Sequence, residues 1–247
     1  TAFLLLRNSN PESPRAKHLW FDVALHALSL LAIHWLLRSC CEPEITFLGD
    51  TLVALGVVAL LRLLPFPALG AISAFPLALG LLHLGILAIG GEVLFAGWPW
   101  WIAAVAILAW LWLSHQQFVE GKSQALSASS RRLHFLVQGL VGALSLAAAG
   151  SQALEHPWHL VSLGAFAVAM ASLGQWRKLP GLQEWSCLPL LFGMIHAAWE
   201  SFSWTKPESD PSLILIAPSL LGILAALHGV VLTRELPAKR RSVAWLH

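Results

Sequence analysis

Eight stretches of this chain stay apolar for the length of a bilayer crossing: residues 19–38, 45–64, 67–91, 97–115, 132–150, 157–175, 184–203 and 212–233. About 20 mostly apolar residues make a helix that spans the hydrocarbon core. No backbone polar group can be left unpaired in lipid, so such runs are helices. Alternating strand-type patterning is absent, which argues against a closed membrane barrel. Only 11% of residues are charged, against about a quarter in soluble domains. The expected fold is an all-α membrane protein with eight transmembrane helices.

Orientation follows from the basic residues. Arg7, Arg15, Lys17, Arg62, Lys122, Arg131, Arg132, Arg177, Lys178, Arg234, Lys239, Arg240 and Arg241 all fall on the side of the N-terminus, and only Arg38 and Lys206 fall opposite. Cytoplasmic loops carry the excess of Lys and Arg, so both termini are expected in the cytoplasm. An even number of crossings requires the same. The run Lys239-Arg240-Arg241 reads as a topology anchor in a basic tail, 237–247. Anionic lipid headgroups account for the basic helix ends, so the net charge of +2 does not point to nucleic acid. Trp20, Trp35, Trp98, Trp100, Trp101, Trp158, Trp176, Trp185 and Trp204 lie near expected interfaces, as an aromatic belt. The absence of an N-x-S/T sequon suits the expected location, a bacterial inner membrane. The three cysteines, Cys40, Cys41 and Cys187, are expected as small packing residues at different depths, without a bridge.

The chain repeats itself. Pro76-x3-Gly80-x2-His83 returns as Pro189-x3-Gly193-x2-His196, a shift of 113 residues. At the same shift His115 meets His228. At a shift of 116, His18 meets His134 and Asp22 meets Gln138; at 108, Leu52, Val53, Leu55 and Gly56 meet Leu160, Val161, Leu163 and Gly164. The shift changes only in loops, where insertions are tolerated. The expected organisation is two tandem four-helix repeats, 14–122 and 128–236. Four crossings per repeat insert both the same way round, related by a pseudo-two-fold axis along the membrane normal.

The repeated motif is also the leading candidate site. Pro189, Gly193, His196 and Glu200 share one helical stripe, and Pro76, Gly80 and His83 share its counterpart. Glycine clears room on that face for a neighbouring helix or a flat ligand. Proline is expected to loosen the helix by freeing a carbonyl one turn back. His83 and His196 are expected to face each other between the repeats. There they form an interhelical hydrogen bond, ligate a metal or tetrapyrrole, or serve proton movement. Asp50, Glu200 and His34 are further buried polar candidates. Asp50 is expected to cap or pair with His34 or His83. His115 and His228 fall near the cytoplasmic ends, where headgroup-level placement competes with ligation. Glu92 reads as a solvated helix end, and Asp22 as the partner of His26.

Catalytic motifs are missing: no H-E-x-x-H, no phosphate-binding loop, no G-x-S-x-G and no C-x-x-C. The reading is therefore a non-catalytic membrane-integral binding or accessory subunit with a His83/His196 site. Its expected partners are the bilayer and other membrane subunits, and b-type haem or another tetrapyrrole is the first-choice cofactor. The alternative is a small proton- or ion-coupled transporter, with Asp50, Glu200 and the histidines as its protonatable groups. An intramembrane metal-dependent hydrolase comes third.

Overall fold

The computed structural model describes residues 14–63, 72–90, 97–119, 128–154, 158–176, 180–202 and 211–233. These form helices α1 (Pro14–Cys40), α2 (Pro43–Leu63), α3 (Phe75–Ile89), α4 (Trp98–Val119), α5 (Ala128–Ala153), α6 (His159–Trp176), α7 (Pro180–Trp185), α8 (Cys187–Phe202) and α9 (Pro211–Thr233). No strand occurs among the described residues. Each of the eight apolar runs carries helix. Five windows are long and apolar enough to cross a membrane: Val23–Cys40, Pro43–Leu60, Trp98–Gln116, Leu136–Ala153 and His159–Trp176. The apolar windows of α3 and α9, Phe75–Ile89 and Ile216–Leu232, are shorter. Such helices are suited to contact with lipid. On α1 the large apolar side chains Phe21, Leu25, Leu28, Leu31, Ile33, Trp35 and Leu36 are all exposed.

Two segments differ from expectation, and for one reason. The seventh run is broken at Ser186 into α7 and α8, and the third begins its main helix only at Phe75. Pro76 stands at the start of α3 and Pro189 in the first turn of α8. A first-turn proline sacrifices no helical hydrogen bond, because its N–H would have had no intrahelical partner. The motif prolines therefore start helices; the expectation that they loosen a continuous one is corrected.

The chain divides into two compact units, Thr1–Leu94 with Val105–Ser145, and Phe95–Ala104 with Leu146–His247. In the first, α1 and α2 are joined by only Cys41 and Glu42 and pack together, with α3 packed on both. Val23, Ala27, Leu30, His34, Leu37 and Cys41 recur at alternating steps of four and three, the spacing of one helix face. On α1 only Leu30 and His34 of the described residues are fully buried. Leu30 packs with Val57 and Ile72. Leu37 lies against Gly49, where an added Cβ would stand 2.8 Å from its Cδ1. Its carbonyl accepts a hydrogen bond from Thr46 Oγ1 at 3.4 Å. Gln138 on α5 donates Nε2–H to Ser73 Oγ at 2.9 Å.

In the second unit α6 packs against α8 and α9. Leu160, Ala167, Leu190, Ala217 and Leu221 form its core. Gly164 admits Leu221 and Leu224 of α9, and Gly150 of α5 admits Leu163 and Phe166. Trp100 is fully buried in the core. Trp35, Trp98, Trp101, Trp158 and Trp176 are exposed.

Candidate functional site: buried histidine clusters

His34 and Asp50 meet because of where they stand from the α1–α2 turn. Each lies eight residues from Glu42, on opposite arms of a tight antiparallel pair. At 1.5 Å per residue that puts both about 12 Å in from the turn. Nδ1–H of His34 donates to Oδ2 of Asp50 across 2.8 Å. Asp50 is 1% exposed and His34 6%. The ring of His83 on α3 stands edge-on to His34, centroids 5.8 Å apart and planes at 88°. Three helices thus bring a carboxylate and two imidazoles together. A carboxylate in the bilayer centre costs about 2.5–3.5 kcal/mol, and the charge-assisted bond from His34 offsets part of this. That bond also fixes the His34 tautomer and leaves Nε2 as the ring's acceptor.

Gly80 makes the assembly possible. A Cβ there would lie 3.0 Å from Phe47 Cδ2 and 3.1 Å from Asp50 Oδ2, the atom bound to His34. Gly193 faces Leu221 and Leu163 instead, with a Cβ 3.2 Å from Leu221 Cδ1. Of the two uses foreseen for these glycines, each face is filled by side chains of neighbouring helices.

Within its own compact unit, each motif histidine has another histidine beside it. His83 sits beside His34. His196 sits beside His159, with Nδ1 of His196 3.3 Å from Nε2 of His159 and the rings at 69°. His159, at the start of α6, is buried, while His196 on α8 is exposed.

His115 and His228 are enclosed by protein. Both are buried, at 1% and 0% exposure. His115 Nδ1–H donates back to the Leu111 carbonyl of its own helix at 2.8 Å. His228 Nε2–H donates to Ser186 Oγ at 2.7 Å, while the Ser186 hydroxyl donates to the Gln183 carbonyl at 2.6 Å. With its hydrogen committed to a carbonyl, Ser186 acts here as a bracket at the α7–α8 break.

That serine extends the sequence match. Ser73 and Ser186 are 113 residues apart, each three residues before the motif proline. Each is buried at a turn and held by a polar side chain, Gln138 or His228. Reading the match three residues further upstream would have found them. Ser73→Ala and Ser186→Ala should each lower stability by about 1–3 kcal/mol, because each removes the acceptor of a buried donor. Thermal unfolding in detergent checks this, with Ser29→Ala on exposed α1 as the comparison that should change little.

Among the described residues no group of three His, Cys, Asp or Glu is placed to hold a metal ion. The side chains of Glu200, Asp22, His18 and His134, and the whole of Glu92, His156 and the tail 237–247, lie outside the described residues. The cysteines are free thiols, with Cys40 exposed. Comparison with protein-family models, with curated proteins and with solved structures finds no match.

Proposed function

We propose that this protein is a small proton-coupled or ion-coupled membrane transporter in which Asp50, His34 and His83 form the proton-handling site. The observation that carries this reading is the buried 2.8 Å contact between His34 and Asp50, with His83 against the same ring. Ionisable groups inside a membrane span are costly, and they mark ion and proton pathways. The three side chains come from three helices, so a small movement of any helix changes their contacts and hence their proton affinity. The tetrapyrrole reading loses support on this account. Each motif histidine has a protein neighbour, and side chains occupy the space beside each motif glycine. An absorption spectrum checks it directly, since a Soret band in the purified protein would restore that reading.

The architecture we propose is eight crossings in two tandem repeats, with both termini cytoplasmic. Support comes from the Ser-x2-Pro-x3-Gly-x2-His match and from the first-turn placement of both prolines. Accessibility labelling should find the loop at Cys41 outside and both chain ends inside. Ends on opposite sides would sink both the crossing count and the parallel repeat.

The functional test uses proteoliposomes loaded with a pH-reporting dye, under an imposed potassium diffusion potential and a panel of alkali cations and small solutes. Proton flux should appear with at least one of them and be lost in Asp50→Asn. Flux that is unchanged in Asp50→Asn, or missing under every drive, overturns the proposal.

A further inference from the structure

We infer that His159 and His196 form a two-histidine site for a divalent transition metal of the zinc class, independent of the Asp50 cluster. The two facing nitrogens, Nδ1 of His196 and Nε2 of His159, are 3.3 Å apart. That is long for a hydrogen bond from nitrogen, which falls at about 2.7–3.2 Å. It is the separation a tetrahedral zinc imposes, because two Zn–N bonds of about 2.0–2.1 Å at the tetrahedral angle place their nitrogens about 3.3–3.4 Å apart. The ring centroids are 5.4 Å apart and the planes stand at 69°. Each neutral imidazole can carry its hydrogen on its other nitrogen, which leaves both facing lone pairs for the metal without net proton release.

Access and rigidity both suit the site. His159 opens α6 and is buried, which holds one ligand in place. It follows the exposed Trp158, at the N-terminal end of an apolar window. His196 is exposed and gives the ion a way in. Two protein ligands leave two tetrahedral positions for water or for a group on an incoming molecule, one protein ligand fewer than catalytic zinc sites use.

The test is titration of the purified, chelator-treated full chain in detergent with Zn²⁺ by calorimetry, and with Co²⁺ by visible absorption. One equivalent should bind with micromolar affinity, and Co²⁺ should give the intense bands of a tetrahedral site. His196→Gln, at an exposed position that does not endanger folding, should weaken Zn²⁺ binding at least tenfold, and His159→Gln should do the same. Asp50→Asn should leave binding unchanged, which separates this site from the transport proposal. Binding no tighter than millimolar, an octahedral Co²⁺ spectrum, or equal affinity in wild type and His196→Gln would overturn the inference.

Discussion

His34→Ala is expected to lower stability by about 3–5 kcal/mol, the usual consequence of leaving one member of a buried pair without its partner. Asp50 is 1% exposed and its Oδ2 is bound to His34. Removing the imidazole leaves a carboxylate that must either stay charged in a dry site or take up a proton to become neutral. Asp50→Asn makes the contrast. The amide oxygen still accepts the hydrogen of His34 Nδ1, so the fold should lose no more than about 1 kcal/mol, while the group can no longer bind or release a proton. Unfolding in detergent, read alongside proton flux, separates the two. His34→Ala should fail both measurements, and Asp50→Asn only the second. A His34→Ala protein as stable as wild type would mean that the pair is not formed in the membrane.

Two glycines on α3 should respond to alanine with opposite signs. At Gly80 the new Cβ would sit 3.0 Å from Phe47 and 3.1 Å from the Asp50 carboxylate. Phe47 is 1% exposed and has little room to yield. Overpacking of this kind costs about 1–3 kcal/mol, and here the displaced atom is also the acceptor of His34. At Gly85, five residues along, nothing lies within 4 Å of the added atom. Alanine there removes the glycine penalty in a helix, worth about 1 kcal/mol in favour of folding. Gly80→Ala should therefore melt lower than wild type and Gly85→Ala level with it or higher. Equal behaviour would mean that α3 does not pack against α2 through its Gly80 face. Gly80→Ala should also impair proton flux, because the same substitution disturbs the Asp50 carboxylate.

The eight apolar runs determined where the helices lie, since length and the ban on unpaired backbone in lipid leave no other element available. The sequence named His34 as one partner within reach of Asp50, and the two-residue link between α1 and α2 that sets them level is a feature of the structure. Composition likewise marked Asp50 and the histidines as the side chains too costly to bury without a reason. Choosing among partners needed the tertiary structure. Spacing left Asp50 able to reach His34 or His83, and the structure sets its carboxylate on His34. A shared motif records a shared local shape, here a buried serine, a first-turn proline and a glycine under a neighbouring helix. It does not record which imidazole lies within 6 Å of another, because that depends on how separate helices stack, and apolar faces rich in Leu and Ala allow many stackings of similar energy. The same degeneracy hid the burial of His115, His228 and Trp100, whose positions along their helices fit a membrane interface as well as a core. Depth along a helix can be counted from the sequence; the direction a side chain faces is decided by which neighbour has a gap to receive it.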